Sequence, residues 1–209
     1  MRRWARMPRQ LRLEDFGGEC YLKSMEKLRY GTNEVIATVG CAVLFVLGQW
    51  LEMTLIERGI IPPQVYEWVQ LRVLAVAIAA VFFGPISGLL CGLGGDLMIN
   101  VIFESVISYP EVIVLGLYGF LLGFYFGKMH YVKKNFTPVV FADFTVIHVL
   151  IGILCTLFVV PLAKFMLEDV TIRDGVSLGV KSLTGNSILV GTICPVIMAV
   201  VGAIKTRRS

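Results

Sequence analysis

Six apolar runs, separated by short polar breaks, make up nearly all of this chain beyond its first thirty-odd residues. They extend from about Glu34 to Ile56, Trp68 to Phe83, the Gly84-Pro85 turn to near Phe103, Val112 to Lys128, Val139 to Lys164, and Gly175 to Ile204. Most of these runs come close to the roughly twenty residues a helix needs to cross a bilayer; the second is the shortest. The pattern predicts an all-α, polytopic membrane protein with six transmembrane helices. The breaks carry boundary chemistry: Pro62-Pro63 with Tyr66 and Trp68, then Glu104 to Glu111 around Tyr109-Pro110. A basic loop follows (Lys128, His130, Lys133, Lys134), and then a charged one (Glu168, Asp169, Arg173, Asp174).

Within the runs, small residues recur every fourth position. Gly84, Gly88 and Gly92 share one helix face with Asp96, and Gly119, Gly123 and Gly127 form a second series. In lipid such spacing lets two backbones approach closely, so these six glycines are expected to pack helices. Asp96 carries a charge into that contact, which is costly without a partner or a function. The first run has two overlapping small pairs, Ala37/Cys41 and Thr38/Ala42.

Composition agrees. The chain is 56% hydrophobic and 16% charged, with a mean hydropathy of +0.78, too little charge to coat a soluble domain of 209 residues. Four of the five cysteines fall inside apolar runs and none has metal-ligand spacing with a histidine, so neither a disulfide framework nor a metal is expected. Charge sets the orientation. With both termini cytoplasmic, the inside segments hold fourteen of the nineteen Lys and Arg, the positive-inside pattern. The outside loops hold only Arg58, Lys164 and Arg173, while Arg72 and Lys181 lie within spans. Three parts result: a basic cytoplasmic segment over residues 1–33, a membrane domain over 34–205 and a basic tail over 206–209. The first reads as a solvated tail, as an arm on the anionic membrane face, or as sequence upstream of a start at Met25. No nucleic-acid partner is expected.

At about 1.5 Å per residue, Asp96 falls near mid-membrane, Glu52 about 27 Å along the first span and Lys181 about 9 Å below the outer surface. Gln49, Glu52, Arg72, Asp96, Asn100, Lys181 and Asn186 are therefore candidates to face a pocket in the outer half. The competing reading makes them ion pairs holding the bundle together, for example Arg72 or Lys181 with Asp96. Asp143 and His148 belong to the inner half and lie about 140° apart around a helix, a poor local dyad. Gly127-Lys128 is not a phosphate loop, since Leu122 and Met129 occupy the positions of its first glycine and its hydroxyl. No recognisable catalytic group appears, and the chain is expected not to be an enzyme.

Several stretches carry a resemblance: Val35–Gly48, Val69-Gln-Leu-Arg72, Phe82-Phe-Gly-Pro-Ile-Ser-Gly88, Gly116–Lys128 and the last run around Asn186. In order and spacing these resemble the S components, the substrate-binding membrane subunits, of energy-coupling factor (ECF) transporters, most of all the riboflavin type and its uncharacterised relatives. The resemblance implies six helices in a bacterial plasma membrane and a pocket open to the outside. It also implies uptake driven by a transmembrane T subunit with two ATP-binding subunits, and no cofactor. It places the docking patch on the first helix, where Ala37, Thr38, Cys41 and Ala42 supply the small pairs. The substrate it implies is a vitamin or related heterocyclic precursor, riboflavin first, with a queuosine or thiamine precursor as alternatives. A small membrane enzyme or a secondary transporter remains as a different class.

Overall fold

The structure, a computed structural model, describes residues 32–66, 68–104, 108–129 and 138–206. The expectations for the N-terminal segment up to residue 31, for the basic loop beyond Met129 and for residues 207–209 lie outside that set. All regular structure among the described residues is helical. α1 spans Thr32–Glu57 and the single turn α2 spans Pro63–Tyr66. α3 is Leu71–Phe83, and α4 is Pro85–Ile99, extended by a wider π-type turn over Asn100–Glu104. α5 spans Tyr109–Met129. α6, Pro138–Ile153, passes through π-type turns at Leu154–Val159 into α7, Val160–Leu167. α8 is Ile172–Thr206.

Five helical stretches are long and apolar enough to cross a membrane: Val35–Glu57, Pro85–Phe103, Tyr109–Phe126, Val139–Leu167 and Ile172–Val201. The second expected span differs. Its helix starts only at Leu71 and has thirteen residues, about 20 Å against the ~30 Å of a bilayer core. Yet it is the most enclosed helix, contacting α1, α4, α5 and α8. Its alanines (Ala75, Ala77, Ala79 and Ala80) are all buried, and their small size lets neighbours close in from several sides. The deficit in length falls at its N-terminal end. Leu71 lies level with Glu52, five residues short of the end of α1, so α3 begins about 8 Å inside the bundle.

α3 reverses into α4 through one residue, Gly84, whose φ of +95° is open to glycine and strained for other side chains; Pro85 then starts α4 where a missing N–H is harmless. From this turn α4 and α5 run antiparallel in a fixed register. A Cβ on Gly123 would strike the backbone of Gly84 and Pro85, one on Gly119 the backbone of Gly88, and one on Gly92 the backbone of Leu115. Each step is four residues, and one further step brings Asp96 level with Glu111. The side-chain surroundings of Gly127, the last member of the second series, lie outside the described set.

The other side of the bundle is built differently. Pro161 lacks an N–H for the Leu157 carbonyl and would crowd it in a regular helix; the π-type turns at 154–159 take up that conflict. α8 packs on this stretch through Gly175, against Pro161, and Gly179, against the Thr156 carbonyl.

The register makes a direct prediction. Gly88→Val forces α4 and α5 apart at a cost of about 1–3 kcal/mol or more and lowers the melting temperature in detergent. Gly94→Ala, whose new methyl group meets no atom within 4 Å, leaves it unchanged or slightly raised. Equal melting of the two variants would show that the helices do not meet along this glycine face.

Candidate functional site

A helix that begins inside a membrane protein exposes N–H groups to a medium with no water to bond them. α3 solves this with side chains from two other helices. The Leu71 N–H donates to Glu52 Oε1 of α1 at 2.7 Å, and the Gln70 N–H donates to Asn186 Oδ1 of α8 at 2.9 Å. Asn186 Nδ2 in turn donates to Ser182 Oγ at 3.0 Å. The stretch leading into α3 is seated on α8, where the Trp68 carbonyl fills the place a side chain at Gly185 would need.

The first turn of α3 also carries Arg72, only 3% exposed. Its guanidinium forks between two carboxylates, Nη1 to Asp96 Oδ1 at 2.6 Å and Nη2 to Glu111 Oε2 at 2.9 Å. These are the two acids that the glycine register places opposite each other at the end of the α4–α5 contact. Asn100 Nδ2 donates to the Asp96 carbonyl oxygen at 2.9 Å and to its carboxylate at 3.4 Å. Beyond Glu111 the network continues to Lys164 of α7, 3.8 Å from Oε1, and on to Glu168 at 3.0 Å, which accepts from Ser108 Oγ at 2.8 Å.

Beside this network lies a cavity of about 230 Å³ bounded by α3, α5, α6, α7 and α8. Val73, Val114, Leu115, Val160, Leu178 and Leu183 supply apolar wall; Arg72, Glu111 and Lys164 stand on one side, with Gln70, Ser182, Asn186 and Ser187 on another. Tyr118 and His148 also border it, joined by a 2.6 Å hydrogen bond between the phenol oxygen and Nδ1. Sites for small molecules run to about 300–1,000 Å³, so this space suits one compact ring system and not a dinucleotide. It lies toward the end of the bundle where α3, α5 and α8 begin.

Of the seven residues expected around a pocket, Arg72 and Asn186 border the cavity. Asp96 and Asn100 are buried behind Arg72, Glu52 caps α3, Gln49 is buried on α1 one turn earlier, and Lys181 is half-buried on α8; none of these five touches the cavity. Four residues that do touch it were placed elsewhere or not considered by sequence reasoning. Glu111 and Lys164 read as loop charges and His148 as an inner-half residue, while Tyr118 was given no role of its own. A signal for Glu111 was present: the series Gly123, Gly119 continues through Leu115 to Glu111, mirroring the series that leads to Asp96.

The small pairs of α1 also have definite places. Thr38 and Cys41 are buried on the inward stripe with Phe45, Gln49 and Glu52, while Ala37 and Ala42 are half-buried at its margins. Phe45 fixes that rotation by filling the space at Gly95. The outward face holds Ile36, Val39, Gly40, Val43, Leu44 and Leu47. No group of three or more His, Cys, Asp or Glu that could hold a metal occurs among the described residues.

A family model described as "ECF-type riboflavin transporter, S component" matches residues 32–205. Comparisons with curated proteins and with solved structures returned no match.

Removing Arg72 leaves Asp96 charged and buried, a loss of about 3–5 kcal/mol for a broken buried pair. Arg72→Met is expected to melt well below the parent, and Arg72→Met/Asp96→Asn to recover much of the difference. Additive losses in a double-mutant cycle would show that the two side chains do not act as a pair.

Proposed function

This chain belongs to the ECF-type riboflavin transporter S-component family, and from that premise we propose that the cavity beside Arg72 captures a vitamin or related heterocyclic precursor, riboflavin foremost, on the outer face of the membrane. The family is one of transporter subunits, not of enzymes. The observation that carries the reading is the cavity itself: an apolar space among five helices, with a few polar groups converging on it. Its modest volume also favours a second substrate reading, a smaller base such as a queuosine or thiamine precursor.

In this reading α3 counts as the sixth span, both termini are cytoplasmic, and the cavity end of the bundle is the outer end. The bundle occupies residues 34–205, between a basic segment and a basic tail. The protein resides in a bacterial plasma membrane and contributes no energy of its own. A transmembrane T subunit and two ATP-binding subunits supply it, meeting the bundle on α1. The outward face of α1 offers Gly40, where added bulk meets no atom within 4 Å, so a partner helix can approach there. The connection around Pro62-Pro63 leads directly to Gln70 at the cavity wall and acts as its cover.

Purification followed by mass spectrometry of bound small molecules tests the substrate, and quenching of riboflavin fluorescence tests the favoured one. Leu178→Trp places a large ring in the cavity from a position that is 40% exposed. It should weaken ligand binding at least tenfold while leaving the melting temperature of the free protein unchanged. Undiminished binding in this variant would place the ligand elsewhere. In vesicles, uphill uptake should require the T and ATP-binding subunits. Uptake driven by an ion gradient alone would make the protein a secondary transporter, and turnover by the purified chain would make it an enzyme.

A further inference from the structure

Two buried polar atoms on residues that border the cavity have no hydrogen-bond partner among the described residues: Nε2 of His148 on α6 and Oγ of Ser187 on α8. An orphaned buried polar atom is destabilising, so two on residues around one largely apolar space point to what that space is built to receive. His148 is 2% exposed. Its ring lies parallel to Phe144 at 5.9 Å and meets Tyr118 edge-on at 5.7 Å, so its plane is fixed from two sides. The Asn186 backbone carbonyl is the nearest acceptor for the ring N–H, but it is too poorly aligned to make a hydrogen bond of ordinary geometry with Nε2.

The bond to Tyr118 decides which nitrogen carries the proton. If Nδ1–H donated to the phenol oxygen, the Tyr118 hydroxyl proton would need a further acceptor, and no other hydrogen bond of this hydroxyl exists among the described residues. The Nε2 lone pair would also stand unpaired. If the hydroxyl donates to Nδ1, what remains is the Nε2–H, with only the poorly aligned Asn186 carbonyl near it. The second arrangement leaves fewer groups unsatisfied and is the favoured one.

Resting on the transport reading above, we propose that His148 and Ser187 determine the specificity of this cavity. The His148 Nε2–H donates to a carbonyl oxygen or ring nitrogen of a planar heterocycle, and the Ser187 hydroxyl pairs with the polar atom adjoining it. Tyr118 acts as a positioning residue that sets the tautomer. The substrate class is then a flat ring bearing an acceptor next to a second polar group, as in a lactam or ureido edge.

The chain has two histidines, His130 and His148, so ¹⁵N-histidine labelling of a His130→Gln protein leaves one imidazole signal. Purified without added ligand, it should show a neutral ring with the proton on Nε2, and Tyr118→Phe should shift the population toward the other tautomer. With riboflavin as the probe, His148→Phe should weaken binding about tenfold and Ser187→Ala about threefold, the size expected for single hydrogen bonds. A proton on Nδ1 in the parent, or unchanged riboflavin affinity in both variants, would overturn the proposal. If the parent protein does not bind riboflavin, the vitamin assignment of the preceding section fails and the tautomer alone decides: Nε2–H upholds the donor, Nδ1–H removes it.

Discussion

A helix that starts below the membrane surface imposes the main constraint on this bundle. α3 stops about 10 Å short of a full crossing, and its first turn carries both free N–H groups and the Arg72 guanidinium. Lipid satisfies neither. Glu52, Asp96, Glu111 and Asn186, each from a different helix, converge on that one turn. The positive end of the helix and the arginine together draw three carboxylates. Net stabilisation from such a buried cluster is modest, because desolvating the charges offsets most of the attraction between them. Its effect is to specify arrangement: α1, α4, α5 and α8 must each present one polar group at a single depth. The cavity follows from the same shortfall, since the space beside the start of α3 is bordered by Gln70, Arg72 and Val73.

The glycine register works with this constraint. Backbone contact at Gly84/Gly123, Gly88/Gly119 and Gly92/Leu115 leaves no freedom to slide α4 along α5. Sliding by one turn would separate Asp96 from Glu111 and leave Arg72 facing only one of them. The packing that brings two helices together thus also sets the fork into which the arginine fits.

Much of this was legible in the sequence, and the failures have physical causes. Apolar runs located the helices because lipid imposes a length on them; that same rule failed at α3, which is enclosed by protein rather than lipid and can be short. The glycine spacing at 84, 88 and 92 indicated a packed face with Asp96 on it, but a single helix cannot reveal which neighbour it meets. The pairing of Arg72 with Asp96 was readable as one alternative, but depth estimates that start every span at the surface could not anticipate that α3 begins level with Glu52. Lys181 and Gln49 were selected for polarity and depth, and neither gives rotation about the helix axis. Tyr118 and His148 come together from positions thirty residues apart, on helices whose facing sides no local pattern records. For Ala37, Thr38, Cys41 and Ala42, residue size was readable; which way they turn depends on Phe45 reaching Gly95.

The contrast between the two sides of the bundle has a mechanical consequence. Where α4 meets α5 the touching atoms are main chain, which has no rotamers to change, so that side behaves as a stiff frame. The opposite wall also has main-chain contacts, at Gly175 against Pro161 and Gly179 against the Thr156 carbonyl, but it includes the π-type turns at 154–159 and side chains such as Leu183 against Gly152, which can re-pack without moving a helix axis. Side-chain re-packing is therefore open to α6 and α8 where Leu183 meets Gly152, and closed to α4 and α5 along their glycine contact.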